Sequence, residues 1–273
     1  VKQYDFQEEN NNIKLVWHNN INNCSYMFFG CSNIIEIDLS NFDFSLVTNI
    51  SHMFERCSSL TLINFTNINT SIVTTIDSIF NGCTSLKSLD LSYFNTINVI
   101  DFNWVFRGCS QLTSLDLSNF NTSQVTNMEE MFYGCSSLTS LNLSSFDTSK
   151  VSDMHYMFYG CKNLEYINLN NSIEKSGLNT EYMFFSNPIN MVVCISNDST
   201  KIINSIKTIN CSIINCSDNW KKFQKKIILG TEVCVTSCNE TDNNTYEYEN
   251  ICYEICPNGT YPNINNACEL ISE

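Results

Sequence analysis

Fifteen cysteines dominate the reactive side chains of this 273-residue chain, and their spacing sorts them into two groups with different chemistry. Cys194, Cys211, Cys216, Cys234, Cys238, Cys252, Cys256 and Cys268 lie in a stretch with little apolar material, which suits cross-linking in an oxidising compartment. Zinc competes for such thiols. Cys234-x3-Cys238 and Cys252-x3-Cys256, however, lack the tight C-x2-C pairs and nearby histidine of structural zinc sites, so disulfides are expected and no metal or cofactor is. Each bridge would contribute about 2–4 kcal/mol by restricting the unfolded chain. The second group, Cys31, Cys57, Cys83, Cys109, Cys135 and Cys161, recurs every 26 residues without insertion or deletion. A phenylalanine stands three residues ahead of each, a leucine or isoleucine three after. An inward position between two apolar residues suits a small thiol, so the expectation is a buried, reduced and inert cysteine ladder, with Cys24 in the same core.

Other chemistry finds little footing. His18, His52 and His155 are the only histidines, none beside a recognisable nucleophile, and no phosphate loop, G-x-S-x-G or H-E-x-x-H pattern occurs. His52 and His155 are read as equivalent surface-helix residues. No enzyme is expected. The column Asp38, Asn64, Asp90, Asp116, Asn142, Asn168 resembles a row of calcium ligands, but calcium needs six or more oxygens and a strand offers one side chain every two residues. A polar face with side-chain hydrogen bonds along the ladder is the expectation. A net charge of −14 disfavours nucleic acid and anionic lipid. The one basic cluster, Lys221, Lys222, Lys225 and Lys226 around Trp220 and Phe223, is read as a solvated face.

The elements that must position these residues follow from the same period. Phe28, Phe54, Phe80, Phe106, Phe132, Phe158 and Phe184 form one apolar column, and Ile34, Leu60, Leu86, Leu112, Leu138 and Leu164 another. Leu112 to Ser118 reads in-out-out-in-out-in-out, so Leu115 and Leu117 share one face and Ser114, Asp116 and Ser118 the other, as in a strand. Val125, Met128, Met131 and Phe132 recur at helical spacing, with Thr122 and Ser123 as caps and Gly134 as a stop. Units this short cannot bury their apolar sides alone and must lean on each other. The expected fold is an α/β repeat solenoid, one short strand and one short helix per 26-residue turn, followed by a small disulfide-rich, mostly irregular or β module. Its parts are a solenoid over 1–190, with 1–30 as N-terminal cap and half repeat, a transition segment over 191–230 and a cysteine-rich module over 231–273.

The motif MF-x-G-C-x-x-L-x-x-L-[DN]-L-S-x-F-[DN]-T-S-x-V-x-[DN]-M, carried by roughly residues 21–186, resembles the 26-residue surface-protein repeat of the BspA-like leucine-rich-repeat group. It departs from pattern at Ile68, Ile97 and Asn187. Cys234 to Cys268, with Pro257-Asn258-Gly259-Thr260-Tyr261, resembles growth-factor-receptor-type cysteine-rich repeats. The pairing expected there is Cys234 with Cys252 and Cys238 with Cys256. The resemblance implies an extracellular or cell-surface, non-enzymatic recognition or adhesion ectodomain that binds protein or glycan on host cells, matrix or other microbes. A structural spacer or coat is the alternative. The expected contact surface is the polar strand face: Glu36, Leu62, Ser88, Ser114, Ser140 and Tyr166, with Asp38, Asp90 and Asp116 beside them, and Leu62 and Tyr166 as apolar anchors. No run of 18 apolar residues occurs, so no membrane insertion is expected within this segment. A monomer is expected, and a longer parent chain with a leader and a membrane anchor. Thirteen N-x-S/T sequons, among them Asn23, Asn49, Asn64, Asn69, Asn121 and Asn142, make glycosylation an expectation for an exported protein.

Overall fold

The computed structural model describes residues 21–189, 191–196, 199–206, 211–214, 226–228, 234–235, 238, 246–248 and 251–270. Over the first of these the chain winds in coils of constant length, and each coil lies on the next in parallel. Strands β1 (Glu36–Asp38) and β2 (Leu62–Asn64) pair Glu36 with Leu62 and Asp38 with Asn64. Strands β3 (Ser140–Asn142), β4 (Tyr166–Leu169), β5 (Val192–Ile195) and β6 (Cys211–Ile214) form one parallel sheet in that order. Register advances by 26 residues from β3 to β5, as in Ser140↔Tyr166↔Val192, and then by 19 from Val192 to Cys211. The parallel ladder thus runs past residue 190. All four residues of β5 are buried, so this strand is held from both faces.

The core is a set of rows rather than a globule. The seven phenylalanines stack face to face from coil to coil, with centroids 5.3–5.7 Å apart and ring planes within 17° of parallel. Such pairs contribute about 0.5–1.5 kcal/mol beyond the area they bury. Rows of Leu60, Leu86, Leu112, Leu138 and Leu164, and of Val47, Val73, Val99, Val125 and Val151, are likewise sealed.

The helix expected in each repeat does not form. Residues 24 to 31 make consecutive turns: Met27, Phe29 and Cys31 donate to the carbonyls three residues back, while Cys24, Tyr26, Phe28 and Gly30 donate to Asn49, Ser51, Met53 and Glu55 of the next coil. A helix would keep all those donors within its own segment. Two left-handed residues per coil prevent it. Tyr26, His52, Ser78, Trp104, Glu130, Tyr156 and Tyr182 have φ of 50–59°, and Gly30, Gly82, Gly108, Gly134 and Gly160 have φ of 69–74°. Positive φ at the third residue of a turn marks type II geometry, where glycine is at ease and Arg56 or Ser186, the non-glycine occupants of that column, are strained. Gly134 therefore closes a turn and stops no helix. The single helix among the described residues is α1 (Thr200–Ser205), whose first backbone N–H groups are met by the Glu174 carboxylate from the coil before it.

Thr122, read as a cap, has another task. Its hydroxyl is buried, donates to the Asp147 carbonyl at 3.0 Å and accepts from the Asp147 N–H at 2.7 Å. Thr70, Thr96 and Thr148 do the same with Asn95, Asn121 and Ile173. One hydroxyl per coil thus satisfies a donor and an acceptor that no strand ladder reaches.

Ser88–Asp90 and Ser114–Asp116 keep the alternation of exposure without closing a ladder, so the strand expected over Leu112 to Ser118 is absent. These two coils place Asp90 and Asp116 in adjacent positions of one row, where like charges oppose pairing. Farther on, β7 (Lys226–Ile228), β8 (Cys234–Val235), β9 (Tyr246–Tyr248) and β10 (Ile251–Tyr253) form a sheet in the order β8-β7-β10-β9, and β11 (Thr260–Pro262) pairs with β12 (Cys268–Leu270) as a hairpin.

Replacing Thr122 by valine keeps the shape and strands two buried backbone groups, which costs about 1–3 kcal/mol. Thr122→Ser keeps the hydroxyl and loses one methyl group, about 0.8 kcal/mol. Denaturant midpoints should therefore rank wild type, then serine, then valine. A valine variant as stable as the serine one would contradict the bridging role.

Candidate functional site

The strand face is where the sequence placed a binding surface. Ser88, Asp90, Ser114, Asp116 and Ser140 come together there, lining an open groove of about 500 Å³ with Leu89, Leu115, Ser118, Asn142, Ser144 and Ser145. Glu36, Asp38 and Leu62 extend the strip toward the N-terminal end, and Leu62 is 53% exposed. Tyr166 differs from the expectation of a free anchor. It is half-buried in β4, and the next residues of its row and of the Asp38 row, Val192 and Cys194, are fully buried. The face is open from Glu36 to Ser140 and closes where β5 is covered.

In the Asp and Asn column along this face Asp38 meets the Asn64 side chain of the next coil, as a ladder would, while the bond that recurs from coil to coil is local. Asp38, Asp90 and Asp116 each accept the backbone N–H two residues on, from Ser40, Ser92 and Ser118, at 2.9 Å. Asn64, Asn142 and Asn168 do so with Thr66, Ser144 and Asn170. These are side-chain turns that substitute for a backbone turn. Two further columns repeat the device, Asp43, Asn69, Asn95, Asn121 and Asp147 in one, and Asn23, Asn49, Asp101, Asn127, Asp153 and Asn179 in the other. The N–H bonds hold Asp38, Asp90 and Asp116 below the ordinary carboxylate value, and the Ser45 and Ser149 contacts do the same for Asp43 and Asp147. Six sequons, at Asn23, Asn49, Asn64, Asn69, Asn121 and Asn142, coincide with these turns, because Asn followed two residues later by Ser or Thr is what the turn itself selects.

The repeat cysteines are free thiols, buried from Cys57 to Cys161; Cys31, in the first described coil, is only half-buried. Each buried thiol donates to the carbonyl of the Phe in the preceding coil, from Cys57 to Phe28 at 3.0 Å through Cys161 to Phe132 at 3.1 Å. Burial pushes Cys24 up to about 11 and Cys57, Cys109 and Cys161 up to about 12, with Cys83 and Cys135 raised further. Among the later cysteines, Cys194 is disulfide-bonded. The expected pairing of Cys234 with Cys252 and Cys238 with Cys256 is overturned: Cys238 is bonded to Cys252 and Cys256 to Cys268. The β11–β12 hairpin returns Cys268 to a Cα separation of 5.7 Å from Cys256, within bridging range. Cys216 and the cluster at Trp220 to Lys225 lie outside the described residues, and Cys211, Lys226 and Cys234 are described only as strand positions in β6, β7 and β8.

The histidines are one position apart in the repeat, not equivalent. His52 sits in the left-handed column between Glu55 and Asp77, stacked on Tyr26 at 4.4 Å. His155 stands one position earlier in its coil, between Asp153 at 2.7 Å and Glu129 at 3.3 Å. Glu129, Glu130 and His155 bring three potential metal ligands within 4.8 Å, a group the sequence reading missed although Glu129 and His155 are 26 residues apart. Arg107 Nε donates to Glu130, and the two imidazole nitrogens face Asp153 and Glu129. Among the described residues no helix is long and apolar enough to cross a membrane.

A family model described as "Mycoplasma protein of unknown function, DUF285" matches residues 3–89 and 80–192. No curated protein matches the chain. Among solved structures it is similar to a leucine-rich repeat protein from Eubacterium ventriosum ATCC 27560, at 20% identity and a TM-score of 0.33, covering 56% of this chain and 42% of that one. A leucine-rich repeat protein from Bacteroides ovatus ATCC 8483 matches at 19% identity and a TM-score of 0.29, over 73% of this chain and 67% of that one. A leucine rich cell surface protein from Faecalibacterium prausnitzii A2-165 matches at 17% and 0.23, over 67% and 65%. The chain therefore spans less than half the length of the first of these.

Two titrations bound the stability of this arrangement. Unfolded thiols ionise near their ordinary value of 9.0 while the buried ones hold their protons, so stability should fall as pH rises from about 9 toward 12. Asp38, Asp43, Asp90, Asp116 and Asp147 act in the opposite direction, their contribution being present above the ordinary carboxylate value of 3.8 and lost as pH falls below it. Midpoints of chemical unfolding against pH should drop at both ends. A thiol reagent at pH 8 should meet Cys31 first in the native protein, and the other five repeat thiols and Cys24 only after denaturation. Rapid native modification of all seven would contradict a sealed row.

Proposed function

The chain belongs to the family described as Mycoplasma protein of unknown function, DUF285, and from that premise we propose that it is a non-enzymatic recognition ectodomain of the BspA-like leucine-rich-repeat kind. In this reading the stacked coils form one continuous solenoid, displayed outside the cell by a longer parent chain, monomeric, and binding a protein or glycan partner through the strand face. The observation that carries it is the groove over Ser88 to Ser145: an extended, open strip of small polar side chains whose backbone is fixed by three turn columns and a buried threonine row. A rigid face with short side chains admits a large partner close to the backbone at low entropic cost. The bonded pairs Cys238–Cys252 and Cys256–Cys268 support an oxidising compartment.

Immobilised protein, presented to host cells, matrix proteins and an array of glycans, should retain a partner. Leu62→Ala and Ser114→Arg alter the open strip without touching the core, and each should weaken retention about tenfold, equivalent to about 1.4 kcal/mol. Retention indifferent to both changes would move the contact off this face. No retention at all would favour a spacer or coat.

A further inference from the structure

Along the turn edge of the coils, away from the strand face, rings accumulate at the surface. Two columns run in parallel. In one, Tyr133, Tyr159 and Phe185 stack at 4.8 and 5.4 Å with planes within 16°. In the other, Tyr156 stacks on Tyr182 at 5.2 Å. Edge-to-face contacts tie the columns together, Tyr156 to Tyr159 at 5.5 Å and Tyr182 to Phe185 at 5.9 Å.

The two ends of this array differ. At one end the Arg107 guanidinium lies 4.7 Å over the Tyr133 ring and 5.4 Å over Trp104, oriented by its bond to Glu130. At the other end no described residue plays that part. The following coil replaces its turns by α1, which reaches back to Leu178 and Thr180 through Lys201 Nζ and Ser205 Oγ and leaves Phe185 52% and Tyr182 48% exposed. Lys201 is tied to the Leu178 carbonyl at 3.0 Å. The exposed Glu181 precedes Tyr182.

We propose that the open end of this ring array, Tyr182 and Phe185 with Glu181 beside them, docks an arginine-bearing segment of a partner protein. The chain itself shows the chemistry. Its only two arginines both lie on surface rings, Arg107 as described and Arg56 over Phe29 at 5.7 Å. A guanidinium stacks on an aromatic face and bonds a carboxylate in its own plane at once, which the Arg107, Tyr133 and Glu130 group does internally. At the open end Phe185 ends the column that Arg107 caps and Tyr182 ends the column that holds Glu130, with the exposed Glu181 one residue before it, on a protein whose net charge of −14 draws cations toward it. A second copy could fill this place only by drawing Arg107 off Glu130 and two rings, or Arg56 off Phe29. A sugar chain needs a row of open ring faces, and here only the last ring of each column has one. The inference stands on the turn edge and does not depend on the strand face being a recognition surface.

The test uses labelled nona-arginine and nona-lysine peptides and the purified chain at about 0.15 M salt, where remote charges are screened. Wild-type protein should bind the arginine peptide at least about fivefold more tightly than the lysine one, the scale of a stacked guanidinium. Tyr182→Ser with Phe185→Ser, both exposed positions, should abolish that preference without moving the thermal midpoint, and Phe185→Leu, which keeps apolar area and removes the ring face, should reduce it. Ser114→Arg, on the strand face, should leave peptide binding unchanged. Equal binding of the two peptides, or arginine binding that survives the double substitution, would overturn the proposal. So would a double variant that instead loses self-association in sedimentation or retention on the glycan array, which would assign the rings to a second copy or a sugar.

Discussion

From Cys24 to Gly160 each described coil hands about half of its turn-region N–H groups to the next. Cys24, Tyr26, Phe28 and Gly30 donate to carbonyls 25 residues ahead, and the same relation recurs at Phe54, Phe80, Phe106, Phe132 and Phe158. A donor that must find its acceptor one coil away cannot tolerate a coil of different length. The constancy of the repeat is therefore a hydrogen-bonding constraint before it is a packing one, since a buried N–H left without partner costs about 1–3 kcal/mol. The phenylalanine stack, the thiol-to-carbonyl bonds and the threonine bridges all rest on it, because each joins residues at fixed positions of adjacent coils.

That constraint explains why the rows were legible in the sequence and the local backbone was not. Phe106 and Cys109 repeat without drift, and such a column has meaning only if like meets like. The spacing of Val125, Met128, Met131 and Phe132 fits a helix as well as it fits a run of turns, since both return a side chain to one side every three to four residues. What separates the two is backbone handedness. Glu130 and Gly134 both take positive φ, yet only Gly134 announces it, and the residues sharing the Glu130 column, from Tyr26 to Trp104, have no common chemistry. The signal that could have warned of it was the recurring Asp or Asn two residues before a backbone donor, as in Asn127 and Glu129, which belongs to turns and competes with helix.

The strand face was legible as positions but not as shape. Ser88, Ser114 and Ser140 were placed together by register alone, whereas the interruption at Asp90 and Asp116 and the burial beyond Tyr166 depend on what lies alongside. Surface properties of a repeat protein vary coil by coil on a fixed frame, so the aromatic edge from Tyr133 to Phe185 and the polar groove can differ without disturbing the core. The cysteines show the same division: one class lies as free thiols in the rows, while Cys194, Cys238, Cys252, Cys256 and Cys268 beyond them are bonded.

Thermal unfolding of two deletion variants tests the register most directly. Removing residues 109–134, one full coil of 26, leaves every row in contact with its own kind. Removing 110–134 shortens the chain by 25 and offsets all later rows against the earlier ones. The account predicts a cooperative transition for the first variant, lowered by a few degrees for the lost interface, and loss of cooperative folding for the second. Indistinguishable melting of the two would contradict it.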